Sequence, residues 1–274
     1  MAECPALVLA DPELGTHSRV RESGRSVDRQ WALIEGHAPG PLPYARREGR
    51  ALVRRLGQGS LALMGSDATE HALKTMDLSR YRILHFAAHA ILDDEHPDRS
   101  AILLAPGAPA EDGLLQIREV VRLPLKGKVV VLASCRSASG TLFQGEGVMG
   151  LARGFLQAGA HAVIGSLWPL RDEDAQKFFD TFYRHLSNGM SLAGALAAAR
   201  NDRIQDGAPP AAWAGIVLIG DGHIIPIPGG SKRLFNSSRT LVLLMSLVFI
   251  SMAVIATMAF MRGRRSEFNF PERT

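Results

Sequence analysis

The stretch YRILHFAAH, residues 81–89, read together with KVVVLASC, residues 128–135, decides the fold of this chain. Each is an apolar, strand-like run, and each delivers one reactive side chain just past its end: His89 from the first, Cys135 from the second. Two parallel strands with matching ends put both side chains on one edge of a sheet. That edge, outside the carboxyl ends of the strands, is where open α/β sheets place their sites. A thiol beside an imidazole is a nucleophile with its base, because the ring favours the thiolate and the thiolate attacks.

Outward from these runs, strand and helix patterns alternate. Ala6–Ala10 is an apolar strand, followed by a stretch to residue 43 rich in Gly, Pro, Ser and charge, with Trp31–Ile34 a short strand or helix turn inside it. Ala45, Ala51, Leu52 and Leu56 recur at helical spacing among arginines, so Pro43–Leu56 is predicted as an amphipathic helix with Gly57 as its stop. Ser60–Met64 is a second strand. Ser66 or Asp67 then caps a helix to about Met76, with Glu70 completing an acidic capping box. Arg82–Ala88 is the third strand. Ala101–Ala105 and Gly113–Leu115 suggest a hairpin, and Gln116–Val121 a short helix. Lys128–Ala133 is the fourth strand, Val148–Ala158 a helix whose Gly150 and Gly154 point to close packing, and Ala162–Leu167 the fifth strand. Helices Asp172–Leu186 and Ser191–Ile204 and a last strand, Ala214–Gly220, follow. The alternation predicts a mostly parallel, three-layer α/β sheet.

Five segments in order carry a resemblance: HFAAHA (85–90), LASCRSASG (132–140), GEGVMGLARGFLQAGA (145–160), SLWPL (166–170) and Trp213 to Gly222. From about Ala6 to about Gly222 the chain resembles CHAT domains, bacterial caspase-like domains often fused to TPR repeats. The resemblance implies the caspase-hemoglobinase fold shared by caspases, metacaspases and separase, an α/β/α sandwich. It also implies cysteine endopeptidase chemistry, with Cys135 as nucleophile and His89 as general base and acid.

Ala90 stands where the family usually has Gly. Its backbone N–H and that of Cys135 are expected to form the oxyanion hole; alanine keeps the N–H but disfavours a positive φ. Cleavage after Arg or Lys in related enzymes needs a buried acid, and metacaspases place an Asp two residues before the cysteine, where this chain has Ala133. Asp94, Asp112 and Glu146 are the candidates, with Glu146 first because it lies in the Gly-Glu-Gly segment. Its other reading is an acid favoured by a helix N-terminus. Trp168, Pro169 and Asp172 are candidates to wall the cleft. His85 shares a strand face with His89 but lies about 13 Å away, too far to share one metal ion, and is a structural histidine. The chemistry requires no metal and no cofactor.

Composition agrees. The 274 residues allow one domain of about 200–225 residues or two small ones, and an apolar fraction of 46% is sufficient for a real core. The net charge of +4 comes without a basic stripe interleaved with aromatics, which argues against nucleic acid as a partner. Arg46, Arg47, Arg50, Arg54 and Arg55 are expected on a solvated helix face. Two cysteines, Cys4 and Cys135, make no disulfide framework, and residues 1–30 lack a secretory pattern, so the domain is expected in a reducing cytosol.

The domain is expected to span 1–225, followed by a basic Pro/Gly linker, 226–239. Thr240–Met261 carries no charge and is long enough to cross a hydrocarbon layer of about 30 Å, leaving a short polar tail, 262–274. Lys232, Arg233 and Arg239 before it and Arg262, Arg264 and Arg265 after it balance, so the positive-inside rule gives no vote. The expectation is a single-pass, tail-anchored protein of a bacterial inner membrane with its catalytic domain cytosolic. It would cut a protein after a basic residue under control of a sensor or partner, such as a sensor protein in trans, in a stress, defence or cell-death context by family analogy. The alternatives are a catalytically silent, membrane-tethered scaffold that binds proteins through the same cleft, and a thiol redox sensor built on Cys135.

Overall fold

Four central strands carry side chains that are apolar on both faces, and helices cover both. The computed structural model describes residues 4–14, 39–92, 97–108, 111–133 and 146–228. In chain order the elements are β1 (Cys4–Pro12), α1 (Pro43–Leu56), β2 (Leu61–Gly65), α2 (Glu70–Thr75), β3 (Tyr81–Ala87), β4 (Ala90–Ile91), β5 (Ala101–Leu103), β6 (Leu114–Gln116) and α3 (Ile117–Val120). Then come β7 (Val129–Leu132), α4 (Glu146–Gln157), β8 (Ala162–Ser166), α5 (Asp172–Ser187), α6 (Leu192–Gln205) and β9 (Ile216–Gly220). The main sheet has the order β2-β1-β3-β7-β8-β9. All neighbours are parallel except β8 and β9. One crossover helix returns a strand in the same direction; two helices, α5 and α6, reverse it, so β9 runs back antiparallel.

Alternation along the strands divides the core. Val8, Ala10, Ile83, Ala87, Val131 and Ile164 pack under α1, α5 and α6, with Phe178, Phe179, Phe182 and Tyr183 as the bulk of that layer. Leu7, Leu9, Leu84, Phe86, Val130 and Leu132 face the other way, onto Leu73 of α2 and Leu151 and Phe155 of α4. The result is a mixed α/β fold of three layers around a largely parallel sheet, as the alternation predicted. Gly154 serves packing: a Cβ there would come within 3.0 Å of Ile117 Cγ2, so its absence lets α4 lie close on α3.

Three local expectations are corrected. The helix after β2 is capped by Thr69, whose hydroxyl accepts from the Ala72 N–H at 3.0 Å, not by Ser66 or Asp67. Glu70 therefore closes no capping box. It is buried, pairs with Lys74 and accepts the Gly113 N–H at 3.3 Å, tying α2 to the β5–β6 hairpin. In α1 the buried row is Ala45, Glu48, Gly49 and Leu52; Ala51 and Leu56 are half-buried, because Glu48 has a partner inside the sheet layer. The expected hairpin forms as β5 and β6, but β4 was not foreseen: its two residues are extended only because β5 returns alongside, Ala90 opposite Ile102.

Burial pushes the Glu70 carboxyl up to about 7, against the pull of Lys74. Lys74 also holds Glu119, at 2.9 Å, which lowers that carboxyl. A folded-state value above the unfolded one stabilises the fold below about 4.5, and the contribution is lost as pH rises through about 7. Glu70→Gln, which cannot ionise, is therefore expected to gain relative to wild type between pH 5 and pH 8 in urea unfolding. Parallel stability curves across that window would refute the assignment.

The chain divides at Gly229/Gly230 into two units. Residues 230–274, with the apolar segment Thr240–Met261, lie outside the described residues. Among the described residues no helix is long and apolar enough to cross a membrane.

Candidate functional site

β3 and β7 are neighbours, with Phe86 opposite Leu132 and the Ala133 N–H donating to the Phe86 carbonyl at 2.9 Å. His89 stands three residues past Phe86, and Cys135 three residues past Leu132. The two motifs thus leave adjacent parallel strands at one level of the carboxyl edge, as the sequence predicted for the strands. Cys135 itself lies outside the described residues, as do Asp94 and the side chain of Glu146.

His89 is held on a buried spot, 5% exposed. Its backbone carbonyl accepts the Leu103 N–H of β5 at 2.8 Å, and its Nε2 is 2.8 Å from the Gly40 carbonyl. A carbonyl can only accept, so Nε2 carries the hydrogen and, in the neutral ring, Nδ1 carries the lone pair. Ala90 opens β4. Among the described residues Asp11 is the one non-glycine at positive φ, so the alanine methyl is compatible with the backbone at 90.

Two carboxylates surround the Gly40 segment. Asp11, at the end of β1, accepts the Leu42 N–H at 2.7 Å and the Arg46 Nε–H at 2.8 Å. Asp172, the first residue of α5, accepts the N–H groups of Tyr44 at 2.8 Å and Ala45 at 2.9 Å. It thereby satisfies the start of α1, whose own N-cap, Leu42, has no side chain to do so. Burial holds the Asp172 carboxyl above its ordinary range; the two N–H donors oppose this, Asp11 adds to it and the nearby His89 opposes it. In the sequence Asp172 was a candidate cleft wall. The structure gives it a capping role, and Asp11 and Gly40 were not singled out at all. The one local signal was the proline spacing in Pro39-Gly40-Pro41-Leu42-Pro43.

Trp168 follows β8, two residues past Ser166, and Ile164 of that strand pairs with Val131 of β7. Its indole N–H donates to the Ala211 carbonyl at 2.9 Å, and its ring lies where a Cβ at Gly215 would come within 2.5 Å. Leu167 beside it is 40% exposed. Asp112 accepts the Leu114 N–H at 2.8 Å within the hairpin, and burial raises its carboxyl.

His85 is fully buried: Nδ1 is 2.9 Å from the Tyr183 hydroxyl and Nε2 2.7 Å from Glu48 Oε1. It is a structural histidine, as the strand spacing indicated. Burial, reinforced by Glu48, holds the Tyr183 hydroxyl well above its usual value.

The chain is 29% identical to human tetratricopeptide repeat protein 28 and 28% identical to the mouse protein, in each case over 225 residues. Those matches cover 69% of this chain but 9% of either relative, so the chain spans a small part of their length. Among solved structures it is similar to the Saccharomyces cerevisiae separase–securin complex, with a TM-score of 0.40, 14% identity, and coverage of 80% of this chain and 12% of that one. It is also similar to the Arg-specific cysteine proteinase gingipain R, with a TM-score of 0.45, 11% identity, and coverage of 80% and 46%. Nothing about the site follows from likeness at that level. A family model matches residues 2–221, and on that match the chain belongs to the CHAT domain family.

Proposed function

We propose that this protein is a cysteine endopeptidase that works through His89 and Cys135. The observation that carries the reading is His89 itself: a buried imidazole fixed through Nε2 to Gly40, just past the strand that neighbours β7, whose sequence runs on to Cys135. In this reading Nδ1 takes the Cys135 proton and the thiolate attacks the scissile carbonyl carbon. The N–H groups of Ala90 and Cys135 stabilise the oxyanion. The imidazolium then protonates the leaving amine, and water hydrolyses the thioester. Asp94 or Glu146 would accept a basic side chain before the cut, with Trp168 along the cleft. A sensor protein in trans controls the enzyme.

The test uses the full chain with an electrophilic peptide probe and a peptide library. Probe adduct on Cys135, absent in His89→Ala, and cleavage after Arg or Lys are expected. A folded protein that neither takes the probe nor cuts any peptide is instead the silent scaffold. Cleavage after Asp, or after apolar residues only, would remove Asp94 and Glu146 from the pocket.

The proposal includes a membrane anchor, supported by the uncharged run Thr240–Met261. The full chain is expected to resist carbonate extraction, and its catalytic domain to be digested by protease added to inverted vesicles. Release by carbonate, or protection in those vesicles, would refute a cytosol-facing anchor.

A further inference from the structure

We infer that Asp11 and Asp172 are positioning residues for His89, acting through the Gly40 carbonyl; as an account of catalysis this rests on the dyad reading above. The carbonyl that fixes the ring belongs to a residue whose Cβ side faces open space, with nothing within 4 Å. It is held from its neighbours. Pro39, Pro41 and Pro43 restrict φ at alternate positions, so the segment moves nearly as a rod. Where the rod lies is decided at its far end. Asp11 takes the N–H of Leu42, which is buried, and Asp172 takes the next two N–H groups, those of Tyr44 and Ala45.

The two carboxylates come from separate parts of the edge. Asp11 follows Ala10, which pairs with Ala87 of β3, so it sits at the strand end beside the one that delivers His89. Its φ of 46° and the register shift between Ala10 and Pro12 turn it out of the β1 ladder. An L-residue in that region is strained, and such strain persists where the surroundings over-determine it. Asp172 reaches the same segment from α5, 128 residues beyond Tyr44. Together they set where the carbonyl points, and the carbonyl sets which nitrogen of His89 carries the hydrogen.

The test is made on the full chain in detergent, labelled with [15N]histidine, at a pH where imidazole is neutral. The His89 ring signals are identified by their loss in His89→Gln. Wild type is expected to hold the Nε2–H tautomer. Asp172→Ala and Asp11→Ala are each expected to shift the tautomer ratio about fivefold toward Nδ1–H, the size of a lost cap. Alkylation of Cys135 by iodoacetamide at pH 6.5 should fall by a similar factor while the rate at pH 9 stays unchanged. Asp172→Asn, which keeps one acceptor, should lie between, and it serves as the probe if the alanine variant does not fold. A merely structural role would lower thermal stability without moving the His89 tautomer. That result, in a folded Asp172 variant, would overturn the assignment. Alkylation of wild-type Cys135 that ignores His89→Ala would instead sink the dyad, leaving the tautomer ratios to decide the positioning role.

Discussion

Cys135→Ala is expected to lower kcat/KM of the full chain on its best peptide by at least about a thousandfold, and His89→Ala to do nearly the same. Without the thiol there is no acyl intermediate. Without the imidazole there is no acceptor for the thiol proton and no donor for the leaving amine. Because the two act as one unit, the double variant should be no worse than the poorer single variant. The fold should survive both changes. The ladder of β3 with β7 pairs Ile83–Phe86 with Val129–Leu132, and neither substitution falls within it. The checks are initial rates and far-UV circular dichroism on the same samples. Full activity in a folded Cys135→Ala protein would end the peptidase reading.

His85→Ala is expected to destabilise the domain by about 3–5 kcal/mol, without any role in the chemistry. His85 is wholly buried among Glu48, Phe179 and Tyr183, with Glu48 itself 3% exposed. Removing the ring leaves a carboxylate inside the fold without its cationic or N–H partner, and leaves the Tyr183 hydroxyl without its acceptor. It also opens a cavity against α5. For a domain of this size the loss should appear as a fall in Tm of about 10 °C. A second variant separates charge from packing: adding Glu48→Leu to His85→Ala removes the stranded carboxylate but keeps the cavity left by the ring, and should recover much of the loss. Equal instability in the single and double variants would show that lost volume, not the stranded carboxylate, is the cause.

How much of this was legible is clearest at His89. The strand that delivers it, the parallel neighbour that delivers Cys135 and the edge they share all follow from two apolar runs, because a buried parallel strand is marked by its own composition. His85 was placed correctly by spacing alone. Glu70 was not: a carboxylate three residues after Asp67 suits a capping box, and nothing local says that the chain turns two residues later than the pattern and buries it. Asp172 was noticed for its position after SLWPL, yet its partners, Tyr44 and Ala45, belong to a helix on the far side of the sequence.

The sequence by itself therefore determined the order of strands and helices, the three layers and the pairing of the two motif strands, since periodicity and apolar runs are local properties. Only the tertiary structure decided that Gly40 holds His89 from 49 residues away, that Asp11 and Asp172 hold the segment around Gly40, and that Glu48 enters the core to meet His85. The reason is physical. These are polar groups that the fold can bury only when a specific partner meets them, and the partner comes from a distant element whose arrival no local pattern records.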